Sequence, residues 1–218
     1  MLAVEDLRES EIYYPEIDDL AAIWDRHSLC YGALKSAQHL DRARLALLAL
    51  PKAARSGKGI LLEARTPLGR VVLSGVDGGE YDTENCLLWL DLGGNDHYRG
   101  PLAGSRGQAL PVSACLDLDG DDAYRADDGA LGGGLLGIGM LLDVAGDDDY
   151  ESVSRGQGYG QFGIGLLADL AGEDDWRHES GGQGAGYFGC GLHLDGAGDD
   201  SYYLLGEGQG FGGVGGVG

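Results

Sequence analysis

Asp91-Leu92-Gly93-Gly94-Asn95-Asp96-His97-Tyr98 is the first full copy of the motif that decides the fold. Its pattern, D-x-x-G-x-D-x-aromatic, returns every 26 residues, from Asp117, Asp143, Asp169 and Asp195. The closing aromatic is Tyr98, Tyr124, Tyr150, Trp176 and Tyr202, and the second carboxylate is Asp96, Asp122, Asp148, Asp174 and Asp200. Five copies without a slip in register mean that equivalent residues stack, as they do in a repeat architecture.

Before each motif lies an apolar strand ending in its first Asp, such as Leu88-Trp89-Leu90-Asp91-Leu92. Alternation puts Leu90, Leu116, Leu142, Ala168 and Leu194 on one face and the Asp column on the other. After the aromatic comes a glycine-rich half, as in Gly156 to Gly165. Its glycines also keep register: Gly132, Gly158, Gly184 and Gly210 form one column, and Gly137, Gly163, Gly189 and Gly215 another. Either positive φ or close backbone approach explains such columns. Gln157, Gln183 and Gln209 form a polar column, expected to be an amide ladder. A 26-residue period of short strands with no helical segment predicts a mainly β fold, a parallel β-solenoid (β-helix) of five or six coils over residues 86–218. A propeller blade needs a longer period, and leucine-rich repeats need a different leucine spacing. The coil from Tyr98 to Asp117 carries Gly107-Gln108 three residues late, the one irregular loop.

Upstream the character changes. Residues 1–56 are rich in Ala, Leu and charged residues, and Glu16 to Trp24 and Tyr31 to Leu50 carry apolar positions at helical spacing. They predict a small helical N-terminal cap of two or three helices, with Pro51 ending the last. Residues 57–85 read as irregular first strands: Ile60-Leu61-Leu62 and Val71-Val72-Leu73 flank Thr66-Pro67-Leu68-Gly69, a hairpin signal. Val76 to Tyr81 is a degenerate motif copy, out of step with the later five.

Glycine supplies 42 of 218 residues but shows no Gly-X-Y triplet, which excludes collagen. A net charge of −21 opposes nucleic-acid binding through phosphate repulsion. Cys30, Cys86, Cys115 and Cys190 share no repeat position or CxxC spacing and read as buried structural thiols. Met1 to Leu20 has no apolar run, so it does not read as a signal peptide, and no stretch of 18 apolar residues predicts a membrane span.

Stacking points to the chemistry. Coils lie about 4.8 Å apart, and unit charges at that distance repel by about 1 kcal/mol in water and several-fold more when partly buried. Two Asp columns, together with Asp121, Asp147, Glu173 and Asp199, therefore need bound cations, protonation or splaying into solvent. Carboxylates beside glycine carbonyls on tight turns form a hard oxygen shell suited to Ca²⁺. The candidate ligands are Asp91, Asp96, Asp117, Asp119, Asp121, Asp122, Asp143, Asp148, Asp169, Asp174, Asp195 and Asp200. Asp117, Asp119, Asp121 and Asp128 also match EF-hand positions, but the glycine sits at the fourth place and no helices flank the segment. His97, His178 and His193 occupy three different repeat positions and read as surface residues.

Gly94-Asn95-Asp96-His97-Tyr98-Arg99-Gly100 resembles half of the calcium-binding nonapeptide of RTX proteins, and the other four copies keep its Gly, Asp and aromatic. The resemblance implies turns that bind Ca²⁺ through Asp and backbone carbonyls. The chain departs from that family in repeating every 26 residues rather than nine, and the motif's first Gly survives only at Gly93.

Other patterns are weaker. Gly158-x-Gly160-x-x-Gly163 fits a dinucleotide expression but lacks any βαβ unit. The aromatic column reads as a buried ladder, with sugar stacking as the alternative. Arg99, Arg125 and Arg177 follow the aromatics and neutralise the edge; a catalytic arginine would need the irregular loop with Arg106. No catalytic constellation emerges. The expected function is a structural or interaction scaffold, calcium-stabilised and self-associating end to end, or continued by further repeats beyond the C-terminus. The expected setting is extracellular or at the cell surface. The alternatives are a carbohydrate lyase or binder, and an acidic DNA mimic that takes a basic protein partner. Ice binding would need threonine rows, and Thr66 and Thr83 are the only threonines.

Overall fold

A computed structural model describes residues 24–218. Among these residues there is one α-helix, α1 (Arg26–Leu48), started by Asp25, whose carboxylate accepts the Ser28 N–H at 3.0 Å. The expected helical segment from Glu16 to Trp24 lies outside the described residues except for Trp24 itself. A hairpin follows, β1 (Ile60–Thr66) antiparallel to β2 (Gly69–Ser74), and then a short β3 (Glu80–Asp82). The first complete coil is β4 (Cys86–Asp91), β5 (His97–Arg99) and β6 (Ser105–Arg106). The next three are β7 (Val112–Leu116), β8 (Ala123–Asp128) and β9 (Gly134–Leu135); β10 (Ile138–Leu142), β11 (Asp149–Ser154) and β12 (Gly160–Gln161); and β13 (Ile164–Asp169), β14 (Asp175–Ser180) and β15 (Gly186–Tyr187). A final partial coil holds β16 (Cys190–Asp195) and β17 (Ser201–Leu204).

The strands stack into three parallel sheets of seven, six and four members, broken only by the antiparallel β1. This is a parallel β-solenoid with four complete coils and a partial one at each end, rather than five or six full coils. Ile138 pairs with Ile164, Tyr124 with Tyr150 and Asp169 with Asp195, so residues 26 apart do lie over one another. Tyr81 joins the column by pairing with Tyr98, so the degenerate copy is a coil shortened to 17 residues. The irregular loop is absorbed locally: Ser105 pairs with Gly134, Arg106 turns back onto Leu110, and Val112 returns to register opposite Ile138.

Both faces of the large sheet are covered. Inward, Trp89, Cys115, Leu141 and Leu167 meet the aromatic column of Tyr98, Tyr124, Tyr150 and Trp176. These rings stack at 5.0, 4.7 and 3.9 Å. Outward, Leu116, Ile138, Met140 and Ile164 pack with Ala33 and Leu40 of α1. The helix therefore lies across the sheet's outer face, against β10 and β13, instead of closing the end of the core as the sequence suggested. A stripe of Ala and Leu can cover either surface, and only the docked helix shows which.

The glycine columns divide between the two explanations. Gly132, Gly158, Gly184 and Gly210 all have φ of 76–78°, each following a left-handed Leu131, Gln157, Gln183 or Gln209. Two successive left-handed residues make the tight corner, which explains the Gln-Gly pairs. A Cβ on Gly137, Gly163 or Gly189 would instead lie 2.3–2.5 Å from a backbone oxygen. The expected amide ladder is absent: Gln157 Nε2 donates to the backbone oxygens of Tyr150 and Arg177 at 3.3 and 2.9 Å. Cys86 and Cys115 are buried thiols as expected, whereas Cys30 is exposed.

Candidate metal centre

Each first-column Asp ends or follows a strand of the large sheet, on its inward face. Its Oδ1 accepts the N–H two residues on: Gly93 for Asp91 at 2.9 Å, Ala145 for Asp143 and Ala171 for Asp169, both at 3.1 Å. This turn aims Oδ2 at the core. There it accepts the phenol of the preceding coil: Tyr98 to Asp117 at 2.6 Å, Tyr124 to Asp143 at 2.5 Å and Tyr150 to Asp169 at 2.6 Å. Trp176 Nε1 takes the same role toward Asp195 at 3.2 Å.

The second column sits across the turn. Its Oδ1 accepts a backbone N–H from the coil before: Asp96 to Asp122, Asp122 to Asp148, Asp148 to Asp174 and Asp174 to Asp200, at 2.6–2.9 Å. The turn glycine permits this closeness, since a Cβ on Gly146 would stand 1.6 Å from Gly120 O. Oδ2 of Asp96 and of Asp174 has no hydrogen-bond partner although both residues are at most 2% exposed.

Together the columns form groups in which carboxylate oxygens lie within 4.8 Å of one another: Asp91–Asp96–Asp117, Asp117–Asp122–Asp143, Asp143–Asp148–Asp169 and Asp174–Asp195–Asp200. Ten of the twelve residues named from the sequence thus converge. Asp119 and Asp121 do not; both are exposed, as are Asp147, Glu173 and Asp199 of the neighbouring column. The EF-hand pattern has no spatial counterpart, because Asp128 pairs with Arg155 on the surface. The reading of a solvated acidic edge is corrected for the two main columns: Asp91, Asp117, Asp143 and Asp169 are fully buried. Solvent reaches the third column and, in the last partial coil, Asp195 and Asp200 of the main columns.

Among the described residues none of these ten carboxylates forms an ion pair with Lys, Arg or His. The arginines serve the outer surface, where Arg125 meets Asp149 and Glu151 and Arg99 meets Glu80. Burial, followed by mutual repulsion, drives the carboxyls upward: Asp96 to about 7, Asp122 to about 11 and Asp117 and Asp143 well above the usual range. Tyr98 shows the proton count directly. Its hydroxyl stands 2.7 Å from Asp91 Oδ2 and 2.6 Å from Asp117 Oδ2, with one hydrogen for two acceptors. Without a cation, one of the two carboxyls must carry the second proton.

The columns end at residues the sequence reading missed. Ser74 pairs with Asp91 in the first-column position and donates to its Oδ2, while Gly79 N–H takes Asp96 Oδ1 at 2.5 Å. Counting back from Tyr81, as from Tyr98 to Asp91 and Asp96, lands on Ser74 and Gly79; the shortened first coil hid that equivalence. Two histidines are also interior rather than superficial. His178 is 1% exposed and takes part in a 2.8 Å hydrogen bond with Ser152 Oγ, and His193 packs edge-on to Trp176 at 4.4 Å. Burial pushes His193 down to about 4.

Fold and site define a class of protein: a parallel β-solenoid threaded by interior carboxylate columns. Comparison of the chain with models of protein families, with curated proteins and with solved structures finds no match.

Proposed function

We propose that the chain is a structural scaffold whose solenoid is completed at neutral pH by Ca²⁺ held in the interior carboxylate groups. One observation carries the reading: each repeating coil buries two carboxylates with no cationic side chain to offset them. A buried unpaired charge is far too costly to persist. Two protons per coil or one divalent cation per coil restores neutrality, and only the cation does so without perturbing the acids' ionisation. The donors suit a hard ion, since carboxylate and phenol oxygens surround each group and the unpartnered Oδ2 atoms of Asp96 and Asp174 are free to bind. Asp91, Asp96 and Asp117, with their counterparts along the stack, would hold the ion. When bound, it supplies fixed positive charge that ties adjacent coils together. The likeness of the G-x-D turn to RTX half-repeats points to the same ion.

The carbohydrate reading loses most of its platform, because Tyr98, Tyr124, Tyr150 and Trp176 are buried and only Tyr202, in the last partial coil, is exposed. Arg106 of the irregular loop faces Glu84 at 3.6 Å. Calorimetry at pH 7.5 and constant ionic strength, with Ca²⁺ or with chelator, tests the proposal. A site filled at 100 times its Kd adds about 2.7 kcal/mol, and each kcal/mol moves the midpoint by about 2–4 °C at this chain length. Several sites should raise it by more than about 15 °C, with Mg²⁺ giving much less. Superimposable melting curves for the folded protein in Ca²⁺ and in chelator would rule the proposal out.

A further inference from the structure

The N-terminal end of the stack carries an overhang. β1 is the outermost strand of the seven-stranded sheet and runs against the coil direction, and the six-stranded sheet stops one level lower, at β3. Among the described residues nothing pairs with the outer edge of β1. All seven of its residues are exposed, including Ile60 at 43% and Leu62 at 52%, and the hairpin tip residue Leu68 is 54% exposed. A free edge with three consecutive apolar residues is a template for a further strand. A complete parallel coil cannot settle there, because the overhanging hairpin belongs to one sheet only.

We infer that β1 is a docking edge for β1 of a second copy, paired antiparallel about a twofold axis at Ala64. The charges select this arrangement. With Ala64 on the axis, Glu63 stands opposite Arg65 of the second copy, twice by symmetry, and Leu62 stands opposite Thr66, adding a partner to a Glu63 that already lies 3.0 Å from Arg70 and 3.8 Å from Arg65 of its own chain. Moving the register by one step of two residues sets Glu63 against Glu63 or Arg65 against Arg65. Parallel pairing in register stacks like on like throughout. Cross-strand neighbours of opposite charge stabilise a pair and like charges oppose it, so the register about Ala64, which alone sets Glu63 against Arg65, is favoured. A twofold interface of this kind closes on itself and yields a dimer, not a fibre. It is independent of the interior carboxylates.

Sedimentation velocity on the full chain, run both with Ca²⁺ and with chelator, reads the outcome, and circular dichroism confirms that each variant is folded. The wild type should sediment as a concentration-dependent dimer. Arg65→Glu, at a side chain that is 84% exposed, should weaken association at least about tenfold. Overturning results are a wild type that stays monomeric, an Arg65→Glu variant that associates as tightly as the wild type, or a dimer lost on Leu194→Lys at the other end of the stack. A wild type that dimerises only after residues 1–23 are removed would place the chain's own N-terminus on β1 and overturn it too.

Discussion

Asp143 shows how one residue sets the chemistry of its coil. Its Oδ1 is spent on the Ala145 N–H and its Oδ2 on the Tyr124 phenol, and it belongs to two carboxylate groups at once. Its folded-state carboxyl is pushed well above the unfolded value by burial and by Asp117 and Asp169. A carboxyl so raised contributes stability that is complete below about pH 4 and is lost as pH climbs through the folded pKa. Asp174 and Asp96 cover the window to about 7, Asp148 to about 10 and Asp122 to about 11. His178 and His193 act in the opposite sense, their contribution being lost as pH falls below about 6.5. In chelator, then, the melting temperature should fall continuously from pH 6.5 to 9, and Ca²⁺ should abolish the decline. Asp143→Asn should raise the midpoint in chelator at pH 8 by several degrees, at about 1.4 kcal/mol per pKa unit relieved. The same variant should lower the calcium-dependent rise measured by calorimetry. A decline unaffected by Ca²⁺ would contradict the assignment. The participants were legible in the sequence as columns, but their burial was not. Alternation sorts Leu90 and Asp91 onto opposite faces without saying which face is inside.

The turn between the large and middle sheets is the element on which the stack depends. In D-x-x-G-x-D the glycine lies under the glycine of the next coil, with Cβ-to-oxygen distances of 1.9, 1.6, 1.8 and 1.6 Å along Gly120, Gly146, Gly172 and Gly198. Neighbours above and below leave the backbone nowhere to relax. Gly146→Ala should therefore cost about 3 kcal/mol or more, read as a lowered urea midpoint or as loss of soluble protein. Gly129, with nothing within 4 Å of an added Cβ, has no such obstacle and supplies the control, apart from the strain of its φ of 66°. The repeat motif marked Gly146 as a turn glycine but gave no measure of how closely its neighbour approaches. Only the stacked coils distinguish a glycine required by its neighbour from one required by its own φ. Helix α1 carries a similar lesson: its apolar stripe was plain, while its place on the outer face of β10 and β13 depends on a three-dimensional surface that four coils build together.

At the scale of the whole molecule, contacts run from coil to nearest coil, so the stability is close to a sum over repeats and their interfaces. Excising residues 144–169 joins Asp143 to Leu170 and leaves every column in register. That protein should fold with an unchanged β-type circular dichroism spectrum, melt modestly lower and bind one Ca²⁺ fewer by titration calorimetry. Removing half as many residues should destroy the fold, because it turns each inward position of the following coil outward. An unfolded product of the first excision would show that the coils are not equivalent units.

Counting along the chain was enough to establish the period, the parallel stacking and the stacked aromatics, and to put forward twelve carboxylates of which ten converge, because a strict repeat converts sequence distance into spatial coincidence. It could not establish depth. Both faces of the large sheet are covered, one by the aromatic ladder and one by α1, and a strand covered on both sides carries apolar residues on both. Which set of side chains turned inward, and hence that the aspartates lie in the core instead of along a wet edge, was decided by how the chain closes each coil upon itself.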